Sequence, residues 1–331
     1  MELPVPFGKG KKASLQITGR HITLVGLFLI VLLAVASIQT WGPSMSFPEN
    51  VGRSVANAVD SATKWLTREG SFIFGRISIY IKQLLAWLKI GLLWLPWPVL
   101  IATVTLLAWR MAGLRAAIFS VVSLLALGFV GLWPSAMETL ALMFTSVTIS
   151  IVIGIPIGIV AARSDAVDAT LRPMLDGMQT MPSFVYLVPA ISFFGLGNVP
   201  AVIATIIYAV PPAIRLTNLG IRQVSSETVE AAQAFGATPL QLLFKVQIPL
   251  ALPTIMAGIN QTTMMALAMV VIASMVGAGG LGEDVLRAIG RLEVGNSLLA
   301  GIGIVFLAII IDRITQGFAK GRQTAEDERQ S

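Results

Sequence analysis

The stretch TLALMFTSVTISIVIGIPIGIVAA, residues 139–162, runs between Glu138 and Arg163 without one charged side chain. At about 1.5 Å of rise per residue, such a run crosses the roughly 30 Å hydrocarbon layer of a bilayer as a single helix. No water is at hand there for backbone amides, so a spanning segment must close its own hydrogen bonds. The same reading along the chain gives eight spans, at 22–38, 95–112, 116–133, 138–162, 178–195, 199–218, 250–276 and 299–316. The predicted fold class is an all-α membrane protein of about eight transmembrane helices. Composition agrees, with 55% hydrophobic and 12% charged residues, where soluble domains carry about 25% charged.

Basic residues set the predicted sidedness. Lys9, Lys11, Lys12 and Arg20 precede the first span and put the N-terminus in the cytoplasm. That span lies too late, and lacks the following small-residue site, for a removed signal peptide, so it reads as an anchor. Alternation then places Arg110, Arg115, Arg163, Arg172, Arg215, Arg222 and Lys245 inside, with the tail residues Lys320, Arg322 and Arg329. The outer loops at Trp133-Pro134 and 195–198 carry no Lys or Arg. The net charge of +6 reflects this bias and anionic lipid rather than nucleic acid. Residues 73–93, IFGRISIYIKQLLAWLKIGLL, are apolar but interrupted by Arg76, Lys82 and Lys89. Counting them as a span inverts everything downstream, so they are predicted to lie as an amphipathic helix in the outer interface. Residues 45–70, with Asn50, Asp60, Lys64 and Arg68, read as an outer, partly helical polar segment. The predicted organisation is 1–94 for anchor, polar segment and interfacial helix, 95–137 for peripheral spans, 138–317 for the core, and 318–331 for a cytoplasmic tail.

Enzymatic chemistry has little to stand on. Cysteine is absent and His21 is the lone histidine, which removes thiol chemistry, disulfides and His-based triads or metal sites. His21 reads as an interfacial, snorkelling side chain. An ion-coupled secondary transporter is expected to show an inverted repeat and coupling acids, and neither is seen mid-span. Gly277-Ala278-Gly279-Gly280-Leu281-Gly282 spells GxGxxG but follows an apolar span rather than a strand, so no dinucleotide site is expected. Lys9-Gly10-Lys11-Lys12 near Ser14 does not have Walker A spacing. Asp165, Asp168 and Asp176, interleaved with Arg163 and Arg172, read as a solvated loop with surface ion pairs.

The segment EAAQAFGATPLQLLFKVQIPLALP, residues 230–253, breaks the apolar pattern. Ser226 is the expected N-cap of a short helix, with Glu227 in its first turn. That helix runs through Glu230, Ala231, Ala232 and Phe235 to Gly236, which suits a left-handed C′ position. A second helix opens with Thr238 as cap, Pro239 at its first position and Gln241 completing a capping box. Leu240, Leu243, Phe244 and Val246 give it an apolar stripe, and Pro249 is expected to close it. So much apolar surface on a cytoplasmic hairpin suits the groove of another protein.

Glu230-Ala231-Ala232, Gly236 and Val246-Gln247-Ile248-Pro249 resemble the EAA loop of ABC importer permeases, whose usual ending is Ile-x-Leu-Pro. RPMLDGMQTMPSFVYLVPAISFFGLGNVP, ATIIYAVPPAIRLTNLGIRQV and MVVIASMVGAGGLGEDVLRAIGRL are similar to the permease subunits of glycine betaine/proline betaine importers, over roughly residues 90–317. The resemblance implies a type I ABC importer permease fold with a cytoplasmic coupling helix within 224–249. Glu230, Ala231, Ala232, Gly236, Pro239, Ile248 and Pro249 would then couple to the ATPase. It implies a homodimer in the bacterial inner membrane, with two ATP-binding subunits and a periplasmic or lipid-anchored substrate-binding protein. ATP and Mg would sit on the partner ATPase, with no cofactor in this chain. The implied cargo is a quaternary-ammonium solute such as glycine betaine, proline betaine or choline. An ABC permease for an amino acid or other small solute is the alternative.

A permanently cationic substrate needs aromatic faces and no net positive charge along its path. Phe184, Tyr186, Tyr208 and Met264 are the candidates by position, with Asn260 and Gln261 offering carbonyl oxygens. Thr262 and Thr263 extend that polar cluster, and Gln179, Thr180 and Ser183 open the fifth span. Pro182 and Pro189, then Pro211 and Pro212, are expected to interrupt helices on either side of one short outer loop. Carbonyls freed by proline are tolerated only where buried or lining a cavity. Met264, Met265, Met269 and Met275 make soft packing surface. Gly277, Gly279, Gly280 and Gly282 read as a flexible bend or a close helix approach at an outer gate.

Overall fold

A computed structural model describes residues 19–41 and 49–330, and the side chains within 24–37 and 51–318. Lys9, Lys11 and Lys12, and the side chains of Arg20, His21, Lys320, Arg322 and Arg329, fall outside that description. The chain divides into two compact units, Met1–Ala62 and Thr63–Ser331. In the first, helix α1 (Gly19–Trp41) carries apolar side chains open on nearly every side from Leu24 to Ser37, as a lipid-facing anchor does. Helix α2 (Glu49–Glu69) crosses the division and is amphipathic.

The second unit holds α3 (Ser71–Trp94), α4 (Trp97–Ala112), α5 (Leu114–Phe129), α6 (Trp133–Arg163) and α7 (Asp165–Thr180). A 3₁₀ turn (Ser183–Tyr186), α8 (Leu187–Phe194), α9 (Asn198–Arg222) and α10 (Ser226–Ala234) follow. Then come α11 (Pro239–Gln241), a π turn (Leu242–Gln247), α12 (Ile248–Ser274), α13 (Leu281–Gly290) and α14 (Val294–Gln330). No strand occurs among the described residues. Among the described residues, five helices are long and apolar enough to cross a membrane: Ser71–Trp94, Trp133–Arg163, Asn198–Arg222, Pro239–Ser274 and Val294–Phe318.

The centre of this unit is α9, held between α6 and α12 by residues too small to keep backbones apart. A Cβ on Gly158 of α6 would stand 2.6 Å from Thr217 Cβ and 2.7 Å from the Ile214 carbonyl. A Cβ on Gly258 of α12 would stand 2.9 Å from Leu216 Cβ and 3.1 Å from the Pro212 carbonyl. Lipid is as apolar as a side chain, so membrane helices associate by such close packing rather than by hydrophobic burial. α6 and α9 run parallel, which defines two ends. At one, Arg222 meets the Ala161 carbonyl at 2.8 Å; at the other, Asn198 and Glu138 flank Gly279. Leu124, Met137, Leu281 and Leu307 centre one apolar cluster, among α4, α5, α6, α13 and α14. Val202, Met269 and Leu187 centre a second, among α3, α6, α8, α9 and α12.

Four expectations are corrected. The predicted fifth span, 178–195, is not one helix. The solvated loop expected to carry Asp165, Asp168 and Asp176 is instead helix α7, which continues to Thr180. The chain then turns extended at Met181 (ψ 138°) before Pro182, and restarts as the 3₁₀ turn and α8. Proline lacks the helix donor and drives its predecessor out of the α region, which accounts for the break. Pro211 and Pro212, expected to interrupt a helix, lie buried inside an unbroken α9. There the packing against α6 and α12 outweighs the lost hydrogen bonds. Pro249, expected to end the second hairpin helix, lies in the first turn of α12 and ends nothing.

Helix α3 is fastened near both ends. Phe74 stacks on Phe193 with centroids 4.8 Å apart and meets Phe194 edge-on at 5.5 Å. Lys89 Nζ pairs with Glu138 Oε1 at 2.9 Å. Both partners lie at the Asn198 end.

If α9 is held backbone to backbone, bulk at Gly158 must push it away. Gly158→Leu should cost about 1–3 kcal/mol through overpacking. A thermal unfolding midpoint in detergent several degrees below that of the parent protein is the expected result. Gly75→Leu, where a Cβ meets nothing within 4 Å, should leave the midpoint unchanged.

Candidate functional site

The hairpin between α9 and α12 is defined by its caps. Ser225, one residue before the expected Ser226, is the N-cap of α10, its Oγ accepting from Thr228 N at 3.3 Å. Glu227 stands in the first turn, where the helix dipole favours negative charge. Gly236 has φ +80°. Its N donates to the Gln233 carbonyl at 2.9 Å, and Ala237 N to the Ala232 carbonyl at 3.1 Å. This pair of reversed bonds is a Schellman close. Thr238 then caps the second arm reciprocally: Gln241 N reaches Thr238 Oγ1 at 3.4 Å, and Thr238 N donates to Gln241 Oε1 at 2.9 Å. Pro239 takes the first helical position.

The second arm runs through the π turn into α12, so Pro239–Ser274 is one helix of 36 residues. The wider i to i−5 bonding of a π turn carries the chain past a proline that cannot donate. Leu243 is buried with Ile221, Ala251 and Ile255, and Ile159 and Ala162 of α6 pack on them. The hairpin is thus rooted in α6, α9 and α12. Phe235, Leu240 and Phe244 project from it, 93%, 63% and 61% exposed. Glu230, Ala231, Pro239 and Pro249 are exposed, while Ala232 and Ile248 are half-buried.

The path candidates separate into groups. Tyr186 is half-buried and bridges the break between α7 and α8, its hydroxyl donating to the Met178 carbonyl at 2.8 Å. Tyr208 packs with it against one apolar cluster. Phe184 is exposed in the 3₁₀ turn, as are Met181 and Pro182 at the break itself. Gln179 Nε2 lies 4.0 Å from Met265 Sδ and ties the break to α12. On α12, Gln261, Met264 and Ala268 are exposed at helical spacing and form one open face. Asn260 is not with them. Its Nδ2 donates to Asp312 Oδ1 at 3.1 Å, and its carbonyl accepts from the Thr315 hydroxyl of α14. Gln316 Nε2 completes that cluster at 2.7 Å from Asp312 Oδ1. Asn260 therefore turns toward α14, about 100° round the helix from Gln261.

The glycine turn at 277–282 is tied down on three sides. Gly197 N donates to the Val276 carbonyl at 2.7 Å, Gly279 N to Asn198 Oδ1 at 3.1 Å, and Leu281 N to Thr139 Oγ1 at 2.9 Å. Gly280, at φ +93°, presses on Thr139. A Cβ on Gly279 would stand 2.6 Å from the Glu138 carboxylate. Gly277 has φ +85° and Gly282 lies against the Val270 carbonyl.

The sequence reading did not single out the polar contacts between α7 and α9. Arg222 reaches Asp165 at 2.6 Å, Asn218 reaches Asp168 at 2.7 Å, and Arg215 reaches Asp176 at 2.5 Å. The signal was present, since residues 215, 218 and 222 share one helix face. Reading the acids as a loop hid it. Asp168 is buried. The hydrogen bond from Arg172, against the opposing effect of burial, holds its carboxyl below the ordinary value of 3.8. A depressed carboxyl contributes stability above its unfolded value and loses it as pH falls through the folded one. Asp168 therefore contributes this stability at neutral pH and loses it as its carboxyl protonates in acid.

With this geometry in view, residues 154–322 match the family described as binding-protein-dependent transport system inner membrane component. The chain is similar to the glycine betaine/proline betaine transport system permease protein ProW of Escherichia coli (strain K12). The two are 49% identical over 271 residues, covering 82% of this chain and 77% of that one. It is also similar to the glycine betaine transport system permease protein OpuAB of Bacillus subtilis (strain 168), 47% identical over 262 residues, covering 79% and 93%. A solved structure of the MetNI methionine ABC transporter in an inward-facing conformation matches 58% of this chain and 95% of that chain at 24% identity, with a TM-score of 0.54. That likeness speaks to the fold alone.

The Schellman close makes a local prediction. A β-branched residue at φ +80° costs roughly 1–2 kcal/mol, so Gly236→Val should loosen the turn by about tenfold in its opening equilibrium. Hydrogen exchange read by mass spectrometry should show faster exchange confined to 225–249. Unchanged protection there would mean that the turn does not depend on its glycine.

Proposed function

The chain belongs to the binding-protein-dependent transport system inner membrane component family, and from that premise we propose that it carries quaternary-ammonium compatible solutes across the membrane for an ABC importer. Glycine betaine is the first candidate cargo, because the similar permeases ProW and OpuAB are named for it. The Arg222 end faces the cytoplasm, with both termini. There the hairpin seats Phe235, Leu240 and Phe244 in a groove of an ATP-binding subunit, which holds the ATP and Mg. One observation carries this reading: an exposed aromatic hairpin whose second arm is continuous with a long apolar helix. Two copies of the chain, two ATP-binding subunits and a substrate-binding protein at the Asn198 end complete the assembly.

The path runs along the open face of α12, Gln261 to Ala268, and the break at Met181-Pro182. Non-helical backbone at membrane depth needs protein or water around it, and a second copy facing this surface supplies both. Phe184 offers a ring face and Gln261 a carbonyl oxygen. Asn260, held by α14, serves as a strut rather than as a contact. The tied glycine turn closes the outer end.

Helix α3 lies in the outer interface. A crossing helix delivers its two ends to opposite sides, whereas Phe74 and Lys89 are both fastened at the Asn198 end. Cysteines at Ser71 and Trp94 should therefore both react with an impermeant reagent added outside. Labelling of one from outside and of the other only from inside would make α3 a span.

The cargo is tested by ATP-driven uptake of labelled glycine betaine into vesicles holding the assembled complex, with methionine in parallel. Uptake of glycine betaine and none of methionine is expected. A lysine beside the path repels the fixed cation by about 4 kcal/mol at 4 Å and an effective dielectric near 20, a slowing of roughly a thousandfold. Gln261→Lys should therefore abolish uptake while ATP hydrolysis continues, and Gln261→Glu should be milder. Equal tolerance of both would remove Gln261 from the path.

A further inference from the structure

Helix α7 is attached unlike its neighbours. Its first two turns bury no apolar side chain; the buried residues of the whole helix are Asp168 and Leu175. Leu175, with half-buried Leu171 and Met178 beside it, packs with Val210 and Ile214 of α9. Along the same helix runs a polar zipper, in which Asp165, Asp168 and Asp176 of α7 meet Arg222, Asn218 and Arg215 of an antiparallel α9. Arg222 commits all of its donor nitrogens. Nη1 goes to Asp165, Nε to Asn218 at 2.8 Å, and Nη2 to the Ala161 carbonyl in the last turn of α6 at 2.8 Å. That carbonyl is one of those a helix end leaves without a partner. Asn218 in turn holds the buried Asp168, which Arg172 also reaches at 2.5 Å.

The zipper has a mechanical address at each end. Arg222 stands three residues before Ser225, the first cap of the hairpin. Asp176 stands one turn before the break, where Tyr186 bonds back to the Gly177 and Met178 carbonyls at 3.2 and 2.8 Å. The contacts fall in two groups along one face of α9: Asp165, Arg222, Asn218 and Asp168 are bonded in sequence near the hairpin, and Asp176 pairs with Arg215 toward the broken helix. Exposed ion pairs contribute little singly. The group at Arg222 differs in having a buried carboxylate and a guanidinium bonded through each of its three nitrogens, so deleting one of its members leaves others unsatisfied.

We infer that the Asp165–Arg222, Asp168–Asn218 and Asp176–Arg215 zipper delivers movement of the hairpin to the broken helix, with Arg222 and Asn218 as positioning residues. The inference rests on the importer reading given above. Without the zipper, the hairpin would still move α9 and α12 through Leu243 and its neighbours, while the first half of α7 would not follow.

The test uses the whole complex in vesicles and two measurements. Spin labels at Thr170 on α7 and Ala234 on α10 report whether the two elements move together through the ATP cycle. Solute taken up per ATP hydrolysed reports coupling. The parent protein should keep one narrow interspin distance throughout. Arg222→Ala, Asn218→Ala and Asp176→Arg should each broaden it, and should lower uptake per ATP about fivefold or more while hydrolysis continues. The exchange Asp176→Arg with Arg215→Asp should restore both, which a merely misfolded single variant would not allow. A narrow distance and an unchanged ratio in the single variants, or an exchange that restores neither, overturns the inference. Failure of the importer reading looks different: the parent complex itself then shows no ATP-driven uptake, and the spin-label distances still decide the linkage.

Discussion

The contact on which the rest of this architecture depends is the approach of α9 to α6 and α12 through residues with little or no side chain. Gly158 against Thr217 and Gly258 against Leu216 bring backbones within reach of one another. Interiors packed this way have two discrete arrangements or one, not a continuum. Three helices so joined behave as a block. Pro211 and Pro212 can sit within α9 because the block holds the helix on both sides. The hairpin inherits the same rigidity through Leu243, which is buried among residues of that block.

Helix α7 is made by different physics. It is short and largely polar; beyond the apolar contact of Leu175 with Val210 and Ile214, it is joined to the block by charge and amide contacts that water can replace. It also leads into the one place in the second unit where a helix stops at Pro182 and restarts as another. A rigid block and a hydrogen-bonded half-helix therefore meet along a single face of α9. The two kinds of attachment differ in what disturbs them. Bulk disturbs the block, and loss of a hydrogen-bonding partner disturbs the half-helix.

The sequence disclosed the helical class and most of the apolar runs because length without charge is a one-dimensional property. It also disclosed the hairpin turn. Gly236, Thr238, Pro239 and Gln241 act on backbone groups within a few residues of themselves, and all four stand in the predicted roles. What it did not disclose depended on distant partners. Nothing local to Pro249 says that a π turn carries the helix past it. Nothing local to Asp168 says that Asn218 is its partner, fifty residues on. Asn260 and Gln261 are neighbours in sequence and look equivalent there; only the position of α14 assigns one to Asp312 and leaves the other open.

Because the hairpin's second arm and α12 are one helix within this block, a tilt of the block swings both ends of that helix. Its length is about 54 Å at 1.5 Å per residue over 36 residues. Among its glycine contacts with α9 the closest is at Gly258, where an added Cβ would stand 2.9 Å from Leu216 Cβ. That point lies about 29 Å from the hairpin end and about 24 Å from the Ser274 end by the same rise. The arms on the two sides of this fulcrum are nearly equal. A tilt that carries the hairpin one way carries the opposite end of the helix the other way by a similar distance, so opening at one face of the membrane and closing at the other become a single motion of one rigid part.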